Sequence, residues 1–149
     1  MILYCDTSAL IKLYVEEAHS DAVAKMIADV DAIATSLLAY PETRATLARA
    51  QRDRRLRPID FRRAIAQFQQ DWSSYVVIDT HHSLMLHAGE LAEHHALRGA
   101  DAVHLASAVQ VAHDFESSPK PMAFLAFDVP LTRAAAREHL PLHVLCTKA

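Results

Sequence analysis

The stretch MILYCDTSALIKLYV, residues 1–15, is the part of the sequence from which the fold can first be inferred. It begins with the apolar run MILYC, which is typical of a short strand buried on both faces of a sheet. The run stops at a single acid, Asp6. Thr7 and Ser8 follow, and either can cap a helix that we predict over about Ala9–Glu16. The stretch therefore predicts a buried strand, a turn that carries one carboxylate, and a helix.

Strand-like and helix-like segments alternate along the rest of the chain, sometimes with two helices between strands. This alternation predicts an α/β fold in which a parallel-rich central sheet has helices on both faces. The length of 149 residues, of which 52% are apolar and only two are Gly, predicts one domain over residues 1–149. We predict further strands at 32–35, 75–79, 123–127 and 142–146, and further helices at 20–30, from 38–40 onward, and at 59–73, 83–97, 100–115 and 130–139, with Gly99 ending the helix before it.

The two cysteines and the apolar runs bear on location. Cys5 and Cys146 lie in apolar stretches at opposite ends of the chain, and we interpret them as reduced core residues of a cytoplasmic protein. There is no signal peptide and no apolar run near ~18 residues, so neither secretion nor a membrane span is expected.

The charges are unevenly distributed. The net charge of −3 by itself argues against a nucleic-acid binder, but eight arginines and two aspartates lie between Arg44 and Arg63. That window carries +6, which leaves −9 on the rest of the chain. This basic stripe is either a solvated helix pair or a track for RNA phosphates. The candidate RNA-binding residues are Arg44, Arg49, Arg52 and Arg55.

Four acids lie at the ends of predicted elements. Asp6 and Asp128 follow strands, whereas Glu42 and Asp101 lie in the first turns of helices. Each one alone could simply stabilise a helix terminus. Because sites in open α/β sheets form outside the carboxyl ends of the strands, we expect the four to converge, with no Lys or Arg immediately beside Asp6, Asp101 or Asp128. Crowded carboxylates repel one another, and Mg²⁺ or Mn²⁺ would relieve that repulsion.

Four stretches of the sequence resemble, in order and spacing, the acidic motifs of PIN-domain ribonucleases, most closely the VapC-type toxins of bacterial type II toxin–antitoxin pairs. These stretches are YCDTSALIKLY, LLAYPETRATL, LRGADAVHLASA and FLAFDVPLTRAA. Together they cover nearly the whole chain. The third is the most specific, because an acid that opens an Ala-rich helix as Asp-Ala-x-His-Leu-Ala is a characteristic motif of the family.

The resemblance implies a PIN-like fold and a Mg²⁺-dependent endoribonuclease for which Mn²⁺ can substitute. It implies that metal-activated water cleaves RNA. It also implies that the protein binds a cognate antitoxin and forms a homodimer. The implied metal and catalytic acids are Asp6, Glu42, Asp101 and Asp128, with Ser8 or Thr7 as a hydroxyl helper near the first acid. One departure is Ala126, where relatives often have Ser or Thr two residues before the fourth acid. A supporting hydrogen bond to Asp128 is therefore expected to be missing.

Three other classes of protein share parts of this pattern. A phosphatase of the haloacid-dehalogenase type needs a second acid two residues after the first, where this chain has Ser8. A receiver-like module needs paired acids and a Lys after the last strand, but Cys5 precedes Asp6 and Lys148 is at the tail. A PIN domain that binds RNA without cutting it stays open.

The histidines raise the question of a zinc site. The group His81, His82, His87, His94 and His95 lacks the spacing of a tight zinc cluster and is interpreted as a solvated helix face. His104 shares a helix face with Asp101, where it either packs or orients a ligand.

Overall fold

The computed structural model describes residues 1–143 and 145. Four parallel strands form one sheet in the order β3-β2-β1-β4. The strands are β1 (Ile2–Cys5), β2 (Ala32–Ser36), β3 (Val76–Ile78) and β4 (Met122–Leu125). The helices are α1 (Thr7–Leu10), α2 (Ser20–Ala28), α3 (Ala39–Arg52), α4 (Pro58–Trp72), α5 (His82–His95), α6 (Gly99–Asp114) and α7 (Val129–Arg137), with a 3₁₀ turn at Ile11–Leu13. The predicted α/β fold with a parallel sheet is confirmed.

Helices cover both faces of the sheet, and β1 shows why. Ile2 and Tyr4 face one hydrophobic core, which includes residues of α5, α6 and α7. Leu3 and Cys5 face the opposite core, which includes residues of α1 and α2. Every residue of β1 is buried, and a strand covered on both sides needs the continuous apolar run seen in the sequence.

Two helix ends differ from their predicted positions. α1 begins at Thr7 because Asp6 itself is the N-cap, and its side chain accepts a hydrogen bond from the backbone N–H of Ala9. α5 ends at His95, and Ala96 adopts the left-handed conformation that Gly99 was expected to supply. Gly99 instead opens α6.

The predicted last strand at 142–146 is only partly within the described residues. Leu142 forms an isolated parallel bridge with Phe124 of β4, while residues 144 and 146 are outside the described part of the chain. Cys5 is buried in the core as predicted, whereas Cys146 also lies outside the described residues.

Helices α3 and α4 form a hairpin beside the sheet. Phe68 of α4 is fully buried, and its ring contacts the rings of Tyr14, Tyr40 and Trp72. This aromatic cluster fixes the hairpin and, with it, the basic stripe. Across the described residues, none of the helices is long and apolar enough to cross a membrane.

Candidate active site

One cleft at the carboxyl edge of the sheet brings the four predicted acids together. Asp6 follows β1, Glu42 lies in the first turn of α3, Asp101 lies in the first turn of α6, and Asp128 caps α7. All four line a cleft of about 390 Å³. The cleft is also lined by Thr7, Ser8, Arg55, Arg98 and His104. The predicted convergence is therefore present in the fold.

Asp6 is the most buried of the four acids, with 4% of its surface exposed. Its carboxylate accepts hydrogen bonds from the Ser8 hydroxyl at 2.8 and 2.9 Å and from the Ala9 N–H at 2.9 Å. Burial raises the pKa of Asp6, while the charge of His104 and the bond from Ser8 act in the opposite direction. The site thus holds a carboxylate in a place where ionisation is costly unless a positive charge is near.

Glu42 is held by a separate set of groups. The Thr7 hydroxyl donates to its Oε2 at 2.5 Å, and Nε2 of His104 lies 2.9 Å from the same oxygen. Burial alone would raise the pKa of Glu42, but these two hydrogen bonds, together with the charges of His104 and Arg98, hold the pKa below its usual value. The two hydroxyls predicted as alternatives therefore serve different acids, Ser8 for Asp6 and Thr7 for Glu42.

His104 connects this group to the core. It is almost fully buried, and its Nδ1 lies 3.1 Å from the Tyr4 hydroxyl. Its other ring nitrogen, Nε2, lies 2.9 Å from Oε2 of Glu42. His104 therefore both packs and positions an acid of the cleft.

Arg98 contradicts the expectation that no basic residue lies beside Asp101 and Asp128. Its Nε donates to Oδ2 of Asp101 at 2.7 Å and its Nη2 donates to Oδ1 at 3.2 Å. The same Nη2 donates to Oδ2 of Asp128 at 3.3 Å. The sequence contained the signal, because Arg98 precedes Asp101 by three residues and the two meet across the first turn of α6.

The chemistry of the donor set suits a hard divalent cation, because the acids offer carboxylate oxygens. Within residues 1–143 and 145, however, no three His, Cys, Asp or Glu side chains lie close enough together to hold a metal ion. The hydrogen bonds explain this separation. Asp6 bonds to Ser8, Glu42 bonds to Thr7 and His104, and Arg98 binds the other two acids. The residues thus fit the cation in kind, while each acid is engaged by other side chains of the cleft, with Arg98 shared by Asp101 and Asp128.

Asp128 is supported without a hydroxyl at position 126. Its Oδ1 accepts the N–H of Leu131 at 3.0 Å, and Ala126 is fully buried. The backbone next to Asp128 is also fixed, because the N–H of Phe127 donates to the Ser8 hydroxyl at 2.8 Å. Ser8 therefore links the first and fourth acidic motifs.

The basic stripe reaches the cleft at one of its four candidate residues. Arg55 lines the cleft, whereas Arg49 and Arg52 are exposed on α3. Arg44 does not line the cleft and donates instead to the Tyr40 hydroxyl at 3.1 Å. A role in RNA binding stays a prediction for all four.

The histidines at the start of α5 and along it have different surroundings. His81 caps the helix, with its Nδ1 accepting the N–H of Leu84 at 3.2 Å. His82 and His94 are exposed, and His87 is partly exposed. Nε2 of His95 lies 2.6 Å from Oε1 of Glu138 on the segment after α7. The solvated helix face is therefore found at His81, His82, His87 and His94, but the prediction is wrong for His95, whose side chain is buried against Glu138.

An acidic cleft at the carboxyl edge of a four-stranded parallel sheet, with helices on both faces, is the arrangement expected of a PIN-type domain. The PIN domain family matches residues 3–117, which is most of the chain. The chain belongs to the PIN-domain family, as its four motifs predicted.

Individual relatives agree with this assignment. The chain is 41% identical over 110 residues to ribonuclease VapC45 of Mycobacterium tuberculosis, a match that covers 74% of this chain and 76% of the relative. The crystal structure of M. tuberculosis VapC20, named a sarcin–ricin loop cleaving toxin, has a TM-score of 0.62 at 20% identity over 89% of this chain and 94% of that one. VapBC-1 from nontypeable Haemophilus influenzae has a TM-score of 0.62 at 14% identity over 96% and 97% of the two chains. The resemblance to VapC-type proteins is confirmed.

Proposed function

We propose that this protein is a Mg²⁺-dependent endoribonuclease that acts as the toxin of a type II toxin–antitoxin pair. The observation that carries the proposal is the convergence of Asp6, Glu42, Asp101 and Asp128 on one cleft from four separate parts of the sequence. The 41% identity to ribonuclease VapC45 supports RNA as the substrate.

The four carboxylates would hold Mg²⁺, or Mn²⁺ in its place. A divalent cation supplies an activated water and neutralises charge on a phosphoryl group during in-line displacement. The other residues keep the acids in place. Ser8 holds the Asp6 carboxylate after the end of β1, and His104 with Thr7 holds Glu42 in the same cleft.

The basic stripe would bind the RNA backbone next to this centre. Arg55 is the best placed of the candidates because it lines the same cleft as the acids. Arg44, Arg49 and Arg52 would extend the track along α3. Contacts of this kind position the substrate without reading its bases.

The partners follow from the family. A cognate antitoxin would cover the cleft in the cell, and the likeness to VapBC-1 supports such a partner. We infer a homodimer and a cytoplasmic location, where both the RNA and the antitoxin would be present.

A cleavage assay tests the proposal. The purified protein is incubated with structured RNA in Mg²⁺, in Mn²⁺ and in chelator, and the product ends are mapped. We expect cleavage with either metal, none with chelator, and products that carry 5′-phosphate and 3′-hydroxyl. Equal cleavage in chelator would contradict the role of the metal.

A rival function is an RNA-binding PIN domain that does not cut. The observation in its favour is that, in the described residues, no three candidate ligands stand together. RNA binding without any cleavage in Mn²⁺ would favour this rival.

A further inference from the structure

Arg98 joins two acids that come from different motifs. Its guanidinium makes two hydrogen bonds to Asp101, at 2.7 and 3.2 Å, and one to Asp128, at 3.3 Å. The Arg98 side chain is 76% exposed, whereas that of Asp101 is only 13% exposed. A long, solvent-exposed side chain therefore covers a more buried pair of acids from the outside.

The guanidinium does electrostatically what a cation would do at the same place. It lies between two carboxylates that would otherwise repel each other. A two-point contact with one carboxylate also turns the lone pairs of that group toward the guanidinium. Through these hydrogen bonds, Arg98 engages two of the four acids of the cleft, Asp101 and Asp128.

We propose that Arg98 is an exchangeable counter-ion of the acidic cleft: it pairs with Asp101 and Asp128 in the metal-free protein and leaves them when a divalent cation binds. This inference rests on the proposed function, because it concerns the acids assigned to the cation. Arg98 thereby lowers the affinity of the cleft for the cation, and in the absence of the cation it reduces the repulsion between Asp101 and Asp128.

Two features make this exchange feasible. Little packing holds the side chain, because most of it is exposed. The exchange also involves no proton, because the hydrogen bonds to Asp101 raise the pKa of Arg98 further above its already high value.

A purely structural role predicts the opposite effect. If Arg98 served as a clamp that holds α6 against α7, its removal would loosen the cleft and weaken cation binding. The sign of the change in affinity therefore separates the two roles.

The test compares Arg98→Gln, Arg98→Lys and the unaltered protein by titration calorimetry with Mg²⁺ and with Mn²⁺. Arg98→Gln should lower the Kd for the cation by roughly threefold to tenfold, which corresponds to the removal of two exposed ion pairs. Arg98→Lys keeps the charge but cannot make the two-point contact, so its Kd should be intermediate.

Arg137→Gln is the matched control. It removes the same group from the last turn of α7, roughly 13 Å along the helix from Asp128 at 1.5 Å per residue. Its Kd should match that of the unaltered protein. As a second readout, the Nε–H resonance of Arg98 should move during a Mg²⁺ titration while that of Arg137 stays fixed.

The outcomes separate the two proposals. If the unaltered protein binds cation and Arg98→Gln binds it equally or more weakly, the exchange is overturned while the proposed function stands. A stationary Arg98 resonance at saturating Mg²⁺ would also overturn the exchange. If the unaltered protein binds neither Mg²⁺ nor Mn²⁺, the exchange and the metal dependence of the proposed function both fail.

Discussion

At the scale of single residues, Asp6 is the acid of the cleft for which burial most opposes ionisation. Its carboxylate is almost fully buried and its pKa is raised chiefly by that burial. The same carboxylate also caps α1 through the Ala9 N–H. A neutral group of the same shape would keep the cap and remove the cost of burying a charge.

Asp6→Asn is therefore expected to separate activity from stability. Cleavage should fall by at least about a hundredfold, because a buried acid of the cleft loses its charge. The melting temperature in chelator should stay equal or rise, since Asn can also cap a helix. Cleavage by the purified variant at the unaltered rate, or a large loss of stability, would contradict this account of Asp6.

Ser8→Ala tests the link between the first and fourth motifs. The change removes a donor to Asp6 and leaves the Phe127 N–H without its hydroxyl acceptor. An unsatisfied buried group costs about 1–3 kcal/mol, so the free energy of unfolding in urea should fall by that amount. Ser73→Ala is the control, because it removes an exposed hydroxyl that bonds only a nearby carbonyl, that of Gln70. Its effect should stay within about 0.5 kcal/mol, and equal losses in both variants would contradict the link.

At the scale of elements, α3 presents different residues to different surroundings. Glu42, Thr46 and Ala50 line the cleft and are spaced four residues apart, which places them along one side of the helix. Arg44 is two residues from Glu42 and therefore lies far around the helix from it. After the helix, Arg54 takes the left-handed conformation, and the chain turns so that Arg55 reaches the cleft.

Arg55→Gln is expected to weaken RNA binding in a salt-dependent way. Measured in the Asp6→Asn background across a salt series, the variant should flatten the slope of log affinity against log salt by roughly 0.7 for each phosphate that is no longer neutralised. Arg137→Gln, on α7, should leave the slope unchanged. Arg44→Gln decides how far the track extends, because an effect equal to that of Arg55→Gln would place RNA along α3 as well as in the cleft. An unchanged slope for Arg55→Gln would reject the RNA track at the cleft.

At the scale of the whole molecule, two hydroxyls and a carboxylate tie the first part of the chain to α4 and to the residue before β3. The Tyr14 hydroxyl lies 2.7 Å from that of Tyr75 and donates to Asp71 at 3.0 Å. Burial raises the pKa of Tyr75 to about 12, and it also raises the pKa of Tyr14. Both hydroxyls thus hold their protons more tightly in the folded protein than in the unfolded chain.

Stability should consequently fall at alkaline pH. The contribution of Tyr75 is fully present below pH about 10, the value of the unfolded chain. It should be lost as pH rises through about 12, because the folded state binds more protons over that interval. The free energy of unfolding, measured in urea between pH 9 and 12, should drop less in Tyr75→Phe than in the unaltered protein. Tyr40→Phe is the control, since the hydrogen bond from Arg44 lowers the pKa of Tyr40; an equal drop in all three proteins would contradict the assignment.

Some features of the fold and of the site could be predicted from the sequence more readily than others. The strand β1, the long helices and the parallel sheet were predictable because burial on both faces demands continuous apolar runs and helices demand a 3.6-residue period. Helix ends were less predictable, because the Asp6 cap and the left-handed Ala96 depend on single hydrogen bonds that other residues could also make. The segment around Leu142 was also less predictable, because it pairs with β4 only through an isolated bridge.

The sequence by itself determined which acids would meet, because strand ends and helix starts in an α/β sheet collect at one edge. Asp6, Glu42, Asp101 and Asp128 could therefore be named without the structure. Only the tertiary structure decided the partners that come from elsewhere in the chain: His104 and Thr7 for Glu42, and Arg98 for Asp128. These partners depend on side-chain directions and on distances between segments up to 62 residues apart, as for Glu42 and His104, and residue order alone does not encode such distances.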